Sequence, residues 1–158
     1  MAQHGDLDER DALHLRQAIR LSAQAKARGN KPFGAVIAAA DSTVLAEAGN
    51  TGTETRDFTA HAEMNALRAA GPRHARQLLA GATLYASGEP CAMCAGAVFW
   101  SGIGRVVFAL DIAAQQRAGK PAEIALSCRD VLQAAPRPVT VLGPCLADEA
   151  FEAFKGAW

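Results

Sequence analysis

The sequence predicts an α/β domain with a mixed sheet covered by helices on both faces, on three observations. Two short apolar runs, "FGAVIAAA" and "TVLAEAG", flank the turn pair Asp41-Ser42 and read as a β-hairpin. Beyond them, strand-like and helix-like segments alternate through "ATLYAS", "CAMCAGAVFWS" and "RVVFAL", the succession expected of strand-helix units. The chain has 158 residues and no internal repeat, low-complexity tract or linker. That is the size of one domain, able to remove about 68 to 70% of its unfolded surface from water.

From Asp8 to Arg28, the apolar residues Leu13, Leu15, Ala18, Ile19 and Ala23 recur among charged ones, and Gly29 supplies a C-terminal stop, so this is the first helix. The hairpin follows, then "GNTGTETRDFT", which reads as a polar loop. A helix from His61 to about Ala70 ends before Gly71-Pro72. "ATLYAS" is a strand, "CAMCAGAVFWS" a helix and "RVVFAL" a further strand. After Asp111 the pattern weakens through "IAAQQRAGKPAEIALS", where only short helical turns are expected. "PVTVLG" is a last strand, and "ADEAFEAFKGAW", with Phe151 and Phe154 at helical spacing, a closing helix.

Half of the residues are apolar and a fifth charged, with no run of roughly 18 apolar residues to span a membrane. The start "MAQHGDLDERDALHL" is acidic and polar, without the features of an export signal, so a cytoplasmic location is expected. Lys plus Arg and Asp plus Glu stand at 16 each, so no global positive field favours a polynucleotide partner. In a reducing compartment the four cysteines are not expected to form disulfides. Cys128 and Cys145 stand alone and read as small buried apolar residues without assigned chemistry.

Chemistry concentrates in "HAEMNALRAA" and "GEPCAMC". Pro90 suits the first position of a helix, which would put Cys91 and Cys94 in its first turn on one face, near a positive helix end that favours thiolates. A C-x-x-C pair alone fits a redox couple, half of a structural zinc site or part of a catalytic one. His61 opens another helix 30 residues earlier (91 minus 61). One histidine and two cysteines make three ligands with a position open, the arrangement of a catalytic zinc; Cys128, Cys145 or His74 would be needed to close it. Glu63, in the first turn after His61, can face the same cavity, or can be a solvated carboxylate favoured by the helix dipole.

His61-Ala62-Glu63 and Pro90-Cys91-Ala92-Met93-Cys94 match the H-x-E and P-C-x-x-C signature of zinc nucleobase deaminases. From about Pro32 through Ala109, the chain resembles the cytidine and deoxycytidylate deaminase superfamily, in the branch containing guanine deaminases and tRNA adenosine deaminases. The resemblance implies a three-layer α/β/α fold with a mixed sheet of about five strands. It implies one Zn2+ per chain held by His61, Cys91 and Cys94, with Glu63 as general acid and base. Zn2+ with two thiolates is formally neutral and acidifies water less than an all-histidine site, so a separate proton acceptor is required. The resemblance also gives Asn50 the base edge, the backbone N–H groups of Ala62 and Cys91 a cradle, and Phe33 a pocket wall.

Trp100 resembles the tryptophan of guanine deaminases and would stack on the ring. "FEAFKGAW" resembles their aromatic tail, with Phe154 and Trp158 capping the pocket. Asp111 matches an RNA-contacting aspartate of the tRNA-editing branch, and Glu123 is the only carboxylate in "AGKPAEIA", where guanine deaminases usually carry several. The expected activity is hydrolytic deamination of a free base, guanine deaminase-like, by a homodimer. A tRNA adenosine deaminase, with tRNA as partner, and a nucleoside or cytosine deaminase are the alternatives within the family. A non-catalytic zinc or redox module is the alternative outside it.

Overall fold

The structure, a computed structural model, describes residues 7–158, so the polar segment Met1–Asp6 lies outside the described residues. Asp8 caps helix α1 (Glu9–Ala27) through a reciprocal pair with Asp11. The hairpin is β1 (Gly34–Ala38) and β2 (Val44–Gly49), paired antiparallel from Gly34 opposite Gly49, with an irregularity at Ile37/Ala38. A short helix α2 (Gly52–Thr55) interrupts the segment expected to be a loop, and α3 (Ala62–Ala70) follows with His61 at its N-cap. Between α3 and the next strand lie a 3-10 turn (Gly71–Arg73) and α4 (Arg76–Ala80), neither expected from the sequence.

Then come β3 (Thr83–Gly88), α5 (Ala92–Ser101), β4 (Arg105–Leu110), α6 (Ile112–Arg117), α7 (Cys128–Gln133), β5 (Thr140–Leu142) and α8 (Ala147–Phe154). The unexpected α7 carries a capping box between Ser127 and Asp130, but its six residues are too few for a periodic signal.

The five strands run in the order β2-β1-β3-β4-β5, with β1 antiparallel to β2 and β3, and β3, β4 and β5 mutually parallel. Successive residues on a strand face opposite sides, which divides the core in two. Ala35, Ile37, Leu84 and Val106 pack with Ala62 and Ala66 of α3, Val98 of α5 and Leu132 of α7. Val36, Tyr85, Val107 and Ala109 pack with Leu15 and Ala18 of α1 and with Ala150 and Phe154 of α8. The result is a three-layer α/β/α sandwich around a mixed sheet. Strands β1 and β3 are buried along their whole length, and so read as continuous apolar runs.

On the α1 side, Arg105 donates to both carboxylate oxygens of Asp11 at 2.6 and 2.8 Å, and the Tyr85 hydroxyl donates to Asp11 at 2.8 Å. Among the described residues, no helix is long and apolar enough to cross a membrane. The parallel strands β3 and β4 end together at Gly88 and Leu110, so the segments entering α5 and α6 emerge at one edge of the sheet, where such folds place their sites.

Candidate active site

Two helix starts meet at that edge. His61 has extended backbone and does not use its side chain as a cap; its Nδ1 lies 3.6 Å from Cys91 Sγ and 3.5 Å from Cys94 Sγ. Cys91 is the N-cap of α5 and Cys94 lies one turn in, so Pro90 precedes the cap instead of occupying the first helical position. The cap still holds Cys91 extended while Cys94 turns back toward it, which brings both sulfurs to the histidine.

These three ligand atoms lie within 4.8 Å of one another. Tetrahedral zinc, with Zn–S of about 2.3 Å and Zn–N of about 2.0 to 2.1 Å, spaces a nitrogen and a sulfur by roughly 3.5 to 3.6 Å, so the donor set fits that ion. A hydrogen bond from Cys94, together with His61, draws the Cys91 thiol down to about 4, while Cys94 is pushed up because it holds the shared proton. His61 is raised, chiefly by its hydrogen bond to Cys91. A metal entering here displaces protons that the sulfurs and imidazole otherwise share.

Glu63 lies on the second residue of α3, 5% exposed, with Oε2 accepting from the Cys94 thiol at 3.7 Å. Burial pushes its carboxyl up to about 6. A carboxyl of that strength, beside a metal site, can both take and return a proton near neutral pH.

Above Glu63 and His61 is a cavity of about 100 Å³, walled by Phe33, Asn50, Cys91, Glu89, Lys31, Lys120 and Trp158. Asn50 is buried, and its Oδ1 accepts from the Gly52 N–H at 2.9 Å; the Nδ2 group makes no hydrogen bond among the described residues and remains a donor at the cavity wall. Phe33 meets Phe154 edge-on at 5.7 Å and Trp158 at 6.4 Å between ring centroids. Lys31 sits 4.2 Å over the Trp158 ring and donates to the Ala157 carbonyl, holding the tail across the opening.

The profile of the cytidine and deoxycytidylate deaminase zinc-binding region matches residues 8–110. The chain belongs to that family. It is a zinc-binding deaminase, a hydrolase acting on C–N bonds of nucleobases or nucleosides. It is 41% identical over 157 residues to a probable cytosine deaminase of Schizosaccharomyces pombe, with 97% of this chain and 95% of that protein covered. It is 39% identical over 98 residues to the guanine deaminase of Bacillus subtilis, covering 61% of this chain and 62% of that one. A solved structure from studies of A-to-I editing by tRNA:A34 deaminases at the wobble position of transfer RNA superposes with a TM-score of 0.73. It is 27% identical and covers 90% of this chain and 99% of its own.

Of the site residues expected from the sequence, this deaminase brings His61, Glu63, Cys91, Asn50, Phe33 and Trp158 around one cavity, with Cys94 buried against His61. Ala62 is wholly buried, and its N–H, like that of Cys91, has no partner among the described residues. Phe154 is also buried; it supports Phe33 and Trp158 from behind and does not line the cavity.

Trp100 is a correction. It is 75% exposed, packs on Phe99 and lines a separate surface groove with Met64, Leu67 and Leu79. Nine residues of helix carry it about 13 Å along the axis from Cys91, to the other end of α5. Asp111 is likewise elsewhere, capping α6 by accepting from the Ala114 N–H at 2.7 Å. Glu123 stands behind the cavity wall, ion-paired to Lys120. Cys128, Cys145 and His74 do not join the cluster of His61, Cys91 and Cys94.

Two further residues, Glu89 and Lys120, line the cavity. Glu89 is buried beside the ligand loop, where its two oxygens accept from the N–H groups of Ile112 and Cys128 at 2.9 and 3.0 Å, tying the starts of α6 and α7 to the metal site. Its place next to Pro90-Cys91 in "GEPC" was the available signal.

Proposed function

We propose that this deaminase hydrolyses a free nucleobase of the cytosine class to its oxo product and ammonia. The observation that carries the reading is the closure of the cavity by Trp158 over Phe33. An engineered cavity of about 150 Å³ takes benzene, so the space of about 100 Å³ beneath Trp158 suits a single ring. Similarity to a probable cytosine deaminase along nearly the whole chain supports the same ring class. The guanine-type expectation rested on Trp100 and the aromatic tail; Trp158 of the tail lines the cavity and Trp100 does not.

In this reading His61, Cys91 and Cys94 hold Zn2+, which when bound supplies Lewis-acid activation of water. Glu63 would take one proton from the attacking water and pass it to the ring nitrogen, then take the second from the hydroxyl so added to the ring carbon and pass it to the amine, so that ammonia leaves as the carbonyl forms. The Asn50 Nδ2 group holds the carbonyl of the base. Phe33 and Trp158 wall the ring with apolar surface and exclude bulk water, which strengthens each polar contact. The exposed Trp100, with Met93 and Leu78 also exposed, supports a homodimer that would bury this surface.

The test is ammonia release from cytosine, guanine and adenine, their nucleosides and a tRNA anticodon hairpin under one condition. Free cytosine should react fastest and its nucleoside slowly or not at all. Reaction of the hairpin alone would replace this reading with a tRNA editing activity.

A further inference from the structure

We infer that Lys120 is a specificity-determining residue that recognises the carbonyl oxygen of the base; this rests on the free-base reading. Lys120 lies in the connection between α6 and α7, and its side chain, only 16% exposed, lines the cavity above Glu63. A lysine is rarely buried without fixed partners, and here the partners form a chain. Gln115 has no solvent exposure; its Nε2 donates to the Leu110 carbonyl at 2.9 Å, which fixes the amide so that Oε1 accepts from Lys120 Nζ at 3.1 Å. Glu123 Oε2 accepts a second proton of the same ammonium. Gly88 makes room for this assembly: a Cβ there would lie 2.9 Å from Gln115 Nε2 and 2.8 Å from the Phe33 ring.

An ammonium has three donors. Gln115 and Glu123 use two; the ammonium also lies 5.4 Å from the Phe33 ring centroid, and its third donor is left at the wall of a cavity that Phe33 and Trp158 share with the polar groups of Asn50, Glu63 and Glu89. Glu123 balances the charge of Lys120, so the ammonium acts as a directed donor. The ligand group that answers such a donor is a neutral carbonyl oxygen, which has lone pairs for both Lys120 and Asn50. An amino base lacking a carbonyl, such as adenine, leaves the buried ammonium with one donor unmet, and a site built around a polar group discriminates strongly against the analogue without it.

The experiment compares wild type, Lys120→Met and the double variant Lys120→Met/Glu123→Gln, which avoids leaving a buried carboxylate unpaired. Each is assayed for kcat/KM on cytosine and on 4-aminopyrimidine, the same ring without the carbonyl; where the analogue turns over too slowly, its Ki against cytosine replaces it. Removing Lys120 should lower the preference for cytosine roughly 10- to 100-fold, with the analogue and the zinc content little changed. Equal losses on both compounds, or no loss on either, would overturn the inference while leaving the free-base reading intact. If guanine is the base turned over, guanine and 2-aminopurine take the same roles. A wild type that deaminates no free base would sink the reading and the inference together.

Discussion

Trp158→Ala removes the side chain that closes the cavity, and the structure sets the scale of the effect. Trp158 is about one-third exposed, meets Phe154 at 5.6 Å and Phe33 at 6.4 Å, and carries Lys31 on its face. Two aromatic pairs at about 0.5 to 1.5 kcal/mol each and an exposed cation–π contact at about 0.5 to 1 kcal/mol hold it there, roughly 1.5 to 4 kcal/mol in all. Little of that supports the core, because Phe154 beneath remains buried in its own cluster. The loss should therefore fall on substrate binding: KM for the free base rises about 10-fold or more, and the discrimination against its ribonucleoside narrows as the roof opens. Ammonia release measured over a range of base and nucleoside concentrations separates the two effects. If the variant keeps the wild-type preference for base over nucleoside, Trp158 is not what excludes the sugar, and the free-base reading loses its main support.

Glu63→Ala should retain about one zinc per chain by metal analysis while activity falls about 100- to 10,000-fold, because the ligands are His61, Cys91 and Cys94 and only the proton carrier is lost. Retained activity would mean that another group moves the protons. Asp11→Asn should cost about 2 to 4 kcal/mol in denaturant melts, less than a fully buried pair because Arg105 is one-third exposed. The Arg105 hydrogen bond, followed by that of Tyr85, holds the Asp11 carboxyl below its ordinary value. Its stabilisation is therefore complete above the unfolded pKa, near about 4, and disappears as pH falls through the lower folded value; the variant should lack that acid-side loss. Trp100→Ala should leave kcat/KM for the free base unchanged and weaken self-association, read by light scattering. A large loss of turnover in monomer and dimer alike would return Trp100 to the substrate site.

The sequence carried most of what is local. "RVVFAL" is strand β4 residue for residue, because five apolar residues behind Arg105, rich in β-formers and followed by a helix-capping aspartate, suit a buried strand. The ligand cluster was legible for a related reason: each of its members stands at or one turn inside a helix start, so the positions of His61, Cys91 and Cys94 follow from two local signals and need only one tertiary fact, that the two starts meet. Helix α4 and helix α7 were lost because five and six residues cannot show a helical period.

Direction was less accessible than position. Trp100 and Trp158 are both aromatic residues following a helical run, and spacing along the chain treats them alike. Trp100 remains on its helix and is carried away from the metal site by the rise of α5, whereas Trp158 lies beyond the end of α8, where Gly156 takes a positive φ and the backbone can turn. That turn lets Lys31, from the segment between α1 and β1, meet the tail over Phe33. The same reasoning explains Lys120 and Glu123. In "AGKPAEIA" the carboxylate is the residue type that could bind a base, yet the Lys120–Glu123 ion pair gives its lysine to the cavity lining and not its glutamate. Which member faces inward is decided by Gln115, through a hydrogen bond to the end of β4 that composition and periodicity do not record.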